Sequence, residues 1–376
     1  MNVISTRNLF IVNTPLQLTT AYIIAYTYCK TDDNVLVIAQ PKQYPRWHAE
    51  PLIKCLLNQK VWKSLHSITG QEIKKKSFLD VKNFIAELKA KIQTNGRVFL
   101  GNDKQIINQL LVELSGNKTY SRFDEGIGSY TPGIVNRKLR SKMGEYALIK
   151  LMQFLFDCNQ GLQYNFGGMG CGKAAIADYL YKPELLSRYS PRVVEITRDQ
   201  IQSALLPATN GLPQQEQKAG NECLLYLGGS YAVLKNDISV ILDNELWLLR
   251  QLDEWAQATG RTILYKPHPG EPKEKIERYK NAIRNIVFYD SIEPIELICN
   301  TNTTIRYMIS LFSSGMLYLD KFAAAPIKTI TIANLLESRI GKPLVTERQK
   351  EIMNICHIAF PKDITELTKL IIDEEQ

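Results

Sequence analysis

Short, almost wholly apolar runs alternate with longer stretches of helical periodicity along most of the chain. The runs "NLFIVN" (8–13), "NVLVIA" (34–39), "RVFLGN" (97–102) and "TYSRF" (119–123) are rich in β-branched and aromatic residues and predict strands. Between them, "PLQLTTAYIIAYTYC" (15–29) and "FLDVKNFIAELKAKIQ" (78–93) predict helices. The alternation restarts after residue 221, with "CLLYLGG" (223–229), a helical run near 239–258, "TILYKPHPG" (262–270) and "IVFYD" (286–290). "TIRYMISLFSSG" (304–315) and "IKTITI" (327–332) follow, and "DITELTKLIIDEEQ" predicts a last helix.

Such alternation marks α/β domains built on parallel sheets. A chain of 376 residues suits two domains of roughly 150 to 200 residues. Residues 206–221 hold Pro, Gly and Gln with almost nothing to bury, and predict a linker. The expected organisation is an N-terminal Rossmann-like domain over 1–205, the linker, and a C-terminal Rossmann-like domain over 222–355. A helix within 356–376 would pack back on the first domain. Two doubly wound domains facing each other across a cleft make the GT-B architecture.

Composition then narrows the classes. Apolar residues make up 45% and charged ones 22%, as in ordinary globular proteins. The most apolar stretch, residues 9–29, is interrupted by Asn13, Pro15 and Gln17, and the N-terminus lacks the order of a signal peptide. Seven scattered cysteines form neither a disulfide framework nor a CxxC metal site, so a reducing cytoplasm is expected. The formal charge of +8, with basic runs "KKK" (74–76) and "RKLRSK" (137–142), suits an anionic small substrate or peripheral contact with an anionic inner membrane. No ribonucleoprotein aromatics, finger spacing or helix-turn-helix pattern appears, so nucleic acid is not expected as a partner.

Ligands of open α/β sheets bind outside the carboxyl ends of the strands. Several polar groups fall there. Asn13 to Gln17 follow the first strand, where they cap a helix or hold a sugar. Asp124, Glu125 and Gly126 follow "TYSRF", and two adjacent carboxylates exceed what a turn needs. Gly228, in "CLLYLGG" (223–229), is a candidate for nucleotide or phosphate binding. In "KPHPG" (266–270) two prolines hold His268 extended, with Lys266 beside it. That imidazole would donate to a phosphate oxygen or protonate a leaving group. Ser313 and Ser314 sit where a strand gives way to a helix, as caps or phosphate ligands. Glu293 and Glu296 offer a carboxylate for a ribose, or simple helix-face charge. "GGMGCGKA" (167–174) has G-x-x-x-x-G-K spacing, but Ala174 stands where a phosphate loop needs a hydroxyl.

"DEG" (124–126), "KPHP" (266–269) and "SSG" (313–315), in this order, resemble the bacterial sialyltransferases of glycosyltransferase family 52 and the related bacterial polysialyltransferases. "NTPLQ" (13–17) also looks like that group. The resemblance implies a GT-B fold, an inverting, metal-independent transfer from CMP-N-acetylneuraminate, and no cofactor. It assigns Asp124 as general base, His268 to the leaving nucleotide, Ser313 and Ser314 to its phosphate and Glu296 to the ribose. Glu125 would raise the pKa of Asp124. Asn13, Gln17, Glu125 and Gly126 would line the acceptor side, and Lys266 and Gly228 the phosphate. The implied partners are a CMP-sugar donor and a glycan acceptor, a galactose-terminated lipooligosaccharide or capsule; a homodimer stays open. Alternatives are another donor (CMP-Kdo, another CMP-nonulosonate or UDP-glucose) and, from a different class, a nucleotide-binding protein using residues 167–174.

Overall fold

The computed structural model describes residues 6–40, 49–69, 78–131, 169–210, 222–229 and 238–372, with five positions between 143 and 150. The basic runs 74–76 and 137–142 lie outside the described residues. The chain divides into two compact units, Met1–Asn210 and Gly211–Gln376.

The first unit runs β1 (Arg7–Val12), α1 (Pro15–Tyr28), β2 (Asp33–Gln40), α2 (Pro51–Leu57), β3 (Trp62–Thr69), α3 (Phe78–Ile92), β4 (Val98–Leu100), α4 (Ile106–Leu114), β5 (Tyr120–Phe123), β6 (Ala175–Leu180), β7 (Val193–Glu195) and α5 (Arg198–Thr209). Its strands pair in parallel in the order β3-β2-β1-β4-β5-β6-β7. Alternate residues of β1 face opposite sides of the sheet. Leu9 and Ile11 join a buried cluster with Ile85, Leu88 and Leu111. Phe10 stacks on Phe99 at 4.5 Å and meets Trp62 edge-on at 5.4 Å. Both faces are covered, which is why these strands read as continuous apolar runs rather than alternating ones.

The apolar stretch 9–29 is therefore a strand followed by a buried helix. Thr14 caps α1 by accepting from the Gln17 N–H at 3.2 Å, and Pro15 occupies the first turn. Thr19 and Thr20 are buried, their hydroxyls donating to the carbonyls of Pro15 and Leu16. Tyr22 donates to the Ala204 carbonyl of α5. Among the described residues no helix is long and apolar enough to cross a membrane.

The second unit holds β8 (Cys223–Leu227), α6 (Ile238–Thr259), β9 (Thr262–Lys266), α7 (Lys273–Ala282), β10 (Ile286–Phe288), α8 (Ile295–Thr301), β11 (Ile305–Ser310), α9 (Leu319–Phe322), β12 (Lys328–Thr331), α10 (Ala333–Ile340), α11 (Glu347–Ile355) and α12 (Ile364–Ile372). These strands are also parallel, in the order β10-β9-β8-β11-β12. The C-terminal helix is fastened within this unit: Arg261 donates to the Ile371 carbonyl at 2.9 Å.

Helix α5 opens on a capping box, Thr197 with Gln200, and continues to Thr209. The segment expected to be linker thus begins as helix, and residues 211–221 lie outside the described residues. Strands β3, β6 and β7 are absent from the sequence prediction. β3 carries Lys63, Ser64 and His66 and is an edge, so it lacks the apolar run of a central strand.

Strands β5 and β6 are joined by a buried ion cluster. Arg122 forks onto both oxygens of Asp178 at 2.7 and 2.9 Å, and Arg188 reaches the same carboxylate at 2.8 and 3.0 Å. Burial alone would raise the Asp178 pKa, but hydrogen bonds from Arg188 and Arg122 outweigh it and hold the carboxyl at about 2. Asp178→Asn leaves both guanidinium groups without that counter-charge and should cost about 3–5 kcal/mol, read as a lower denaturant midpoint. Because the folded pKa is depressed, wild-type stability from this group is present above about pH 4 and is lost as pH falls towards 2; the variant should lack that acid limb.

Candidate active site

Parallel strands bring their carboxyl ends to one edge of each sheet, and in the first unit the strand order reverses between β1 and β4. Asn13 follows β1, Gly101 to Asp103 follow β4, and Asp124 to Gly126 follow β5. Asn13, Gln17, Asp124, Glu125 and Gly126 are brought together there.

Asp124 is fully buried with its carboxylate occupied. One oxygen accepts from the Gly126 N–H at 3.0 Å, and the other from the Tyr181 N–H at 3.1 Å and the Tyr130 hydroxyl. Gly126 has φ 115°, a conformation that favours glycine, which explains the third letter of "DEG". The backbone then turns into a 3-10 segment, Ile127–Ser129, and the Ser129 hydroxyl accepts from the Glu125 N–H.

Of the acidic pair, Asp124 is wholly buried and Glu125 is the more exposed residue. It is half-buried, with Gln17 donating to one oxygen at 2.5 Å and Asn102 to the other at 3.3 Å. Burial first, then the negative charge of Asp103 and, more weakly, Asp124, push its pKa up to about 8. The repulsion built into the acidic pair thus falls on Glu125. Asp124, expected as the general base, is the buried member of the pair, with its oxygens on donors that hold the turn. Asn13 is likewise buried: its side chain donates to the Ala39 carbonyl at 2.9 Å and exchanges hydrogen bonds with Asn108.

The glycine-rich loop is fastened beside this turn. The Asp103 carboxylate accepts from the backbone N–H of Gly170 at 2.8 Å and of Gly172 at 2.9 Å, and from Arg122 at 3.2 Å. A Cβ at Gly172 would overlap the Tyr120 hydroxyl, and one at Gly128 the Met169 side chain. The amides that a phosphate loop would aim at a nucleotide are therefore taken by an internal carboxylate. The loop also runs into strand β6 instead of a helix. Both facts remove the phosphate-loop alternative for residues 169–174; Gly167 and Gly168 lie outside the described residues.

In the second unit His268 is exposed, and its Nδ1 accepts from the Gly270 N–H at 3.0 Å. That bond leaves the proton on Nε2. Desolvation of the ring's inner side, with the positive charges of Lys266 and Lys275, holds its pKa below the ordinary histidine value. At neutral pH it is thus a neutral donor. Lys266 is buried and donates to the Ser291 carbonyl at 2.5 Å, so its charge acts on His268 through space. Glu271 accepts from the His268 N–H at 2.8 Å, the Tyr265 hydroxyl at 2.5 Å and Lys275 at 2.5 Å. A Cβ at Gly228 would strike Glu271, so this glycine is required for packing. Ser313 caps the 3-10 turn Ser314–Leu317, accepting from the Gly315 N–H, and Ser314 is half-buried. Glu296 is buried beside this turn, 3.6 Å from where a Cβ on Gly315 would stand; Glu293 is buried too.

Sequence reasoning missed Asn102, Asp103, Tyr130, Glu271 and Lys275. "GND" (101–103) overlaps the end of the predicted strand 97–102, and Asp103, just beyond it, was findable by the rule that located "DEG". The others act through hydrogen bonds across elements, which leave no local pattern. Among the described residues no three His, Cys, Asp or Glu side chains gather as a metal-ligand set.

A family model described as alpha-2,8-polysialyltransferase matches residues 8–333. No curated protein matches the chain. Among solved structures it is similar to the S. aureus MnaA–UDP co-structure, at 12% identity over 98% of this chain and 89% of that one, TM-score 0.53. It is also similar to the Methanocaldococcus jannaschii UDP-GlcNAc 2-epimerase in complex with UDP-GlcNAc and UDP, at 12% identity over 98% and 93%, TM-score 0.54. A sialyltransferase from Photobacterium damsela aligns at 14% identity over 96% and 82%, TM-score 0.47. The first two likenesses show the two-unit α/β fold, of GT-B type. With most of its length matched by that family model, the chain belongs to the alpha-2,8-polysialyltransferase family and is a glycosyltransferase.

Proposed function

We propose that the protein is an inverting sialyltransferase that moves N-acetylneuraminate from CMP-N-acetylneuraminate to a hydroxyl of a sialic-acid-terminated glycan. The observation that carries this reading is Glu125: a half-buried carboxylate of raised proton affinity, oriented by two amides, beside a locked turn in a chain of this family. Its ionised form takes the acceptor's hydroxyl proton as the oxygen attacks the anomeric carbon, and the bond to CMP breaks on the opposite face. On the second unit, the Nε2–H of His268 is the donor for the nucleotide phosphate, aided by Lys266 through space and by the Ser313 and Ser314 hydroxyls, with no metal in the reaction. Glu296 is the ribose contact. Asp124 and Asn13 serve by holding the turn and the first loop.

Incubation with CMP-N-acetylneuraminate and a panel of galactose- and sialic-acid-terminated oligosaccharides, with and without a chelator, should release CMP and lengthen the sialylated acceptors in both conditions. Turnover with UDP-glucose or CMP-Kdo alone would overturn the donor assignment, and extension of galactose ends alone the acceptor assignment.

Glu125→Gln should lower kcat by about 10²–10⁴ while the protein stays folded. In the wild type, kcat/KM should rise with pH and reach half its plateau near 8, as Glu125 ionises. Because its folded pKa is raised, the folded state loses stability as pH climbs from the ordinary carboxylate value towards 8. Melting curves of Glu125→Gln should lack that decline. His268→Ala should cut kcat/KM for the donor by about 10²-fold and leave the acceptor KM near its wild-type value.

A further inference from the structure

Gln17 lies on α1, in the sequence pattern a candidate for holding a sugar, yet it is 1% exposed. Its side chain is fixed at both ends. Oε1 accepts from the Asn13 N–H at 2.7 Å, so the amide cannot turn over without setting a nitrogen against a donor. Nε2 therefore faces Glu125 and donates to Oε2 at 2.5 Å. The wall behind it is closed: a Cβ on Gly101 would stand 2.8 to 3.0 Å from the Gln17 carboxamide and its stem. Asn13, which supplies the fixing N–H, is itself immobilised by Ala39 and Asn108.

We infer that Gln17 is a positioning residue, its amide locked by the Asn13 backbone so that it orients the Glu125 carboxylate for proton removal from the acceptor. The choice of a carboxamide has a chemical reason. A lysine or arginine there would orient the carboxylate equally well but would pull its proton affinity down and make it a weak base. A neutral N–H aims the oxygen while leaving most of the basicity in place. Asn102 repeats the device on Oε1 at 3.3 Å. This inference rests on the reading of Glu125 as proton acceptor given above.

The test compares Gln17→Met, which keeps length and loses the donor, with Gly101→Ala, which keeps Gln17 and displaces it. Steady-state kinetics with CMP-N-acetylneuraminate would be taken across pH, with activity normalised to the folded fraction from melting curves. Both variants should lower kcat by up to about 100-fold, the cost of misplacing a reacting group by about 1 Å, with the acceptor KM near that of wild type. The hydrogen bond favours the ionised carboxylate, so its loss should also move the acid limb of kcat/KM to higher pH. A raised acceptor KM with unchanged kcat would make Gln17 a sugar contact and overturn the inference, as would wild-type kinetics in either variant. If Glu125→Gln retains activity, the proton-acceptor reading itself has failed; if that variant is inactive while Gln17→Met is normal, only the positioning role falls.

Discussion

Asp124 accepts three hydrogen bonds in a place water does not reach, and the first site is organised around that carboxylate. Removing a carboxylate from water costs several kcal/mol unless donors replace the solvent. Here the donors come from the turn itself (Gly126), from the residue that ends the 3-10 segment (Tyr130) and from the residue after β6 (Tyr181). Satisfying one buried charge therefore ties β5, β6 and the intervening turn into one geometry. Glu125 inherits its position from that geometry, since its backbone has no freedom left and only its side chain reaches outward.

The second unit solves a similar problem with different groups. Glu245, Lys275 and Glu271 form a buried ionic series, with contacts of 2.8 and 2.5 Å, closed by the hydroxyls of Tyr226, Tyr279 and Tyr265. Two carboxylates share one ammonium, and desolvation raises the Glu271 pKa against the pull of Lys275. The series ends at the His268 N–H and at the Gly229 carbonyl, so it braces the turns after β9 and β8 together. The prolines of "KPHPG" limit the backbone locally; Glu271 decides where the histidine stands.

In both units a fully buried acid carries structure while a more exposed neighbour is left for chemistry. Glu125 lies next to Asp124, and His268 three residues from Glu271. The glycine-rich loop belongs to the same scheme, because Asp103 uses the loop's amides as its own solvation shell while its charge bears on Glu125. That spacing resembles a phosphate loop because glycines suit any anion that must approach a backbone closely, an internal carboxylate included.

Strand and helix order was legible in the chain wherever burial is two-sided, because a strand covered on both faces must be apolar at every position. "NLFIVN", "NVLVIA" and "CLLYLGG" could hardly be anything else. Edge strands such as β3 and β7 escaped notice since half their residues meet water. The "DEG" and "KPHPG" turns were also legible: a left-handed backbone needs glycine, and two prolines restrict what lies between them. Which of two adjacent carboxylates is buried could not be read, because burial depends on Tyr130 and Tyr181, the latter 57 residues away in sequence. Gln17 read as an amide for a sugar for the same reason. Its partners, Asn13 N–H and Glu125, are set by how β1 and β5 lie in one sheet, and only the folded chain fixes that.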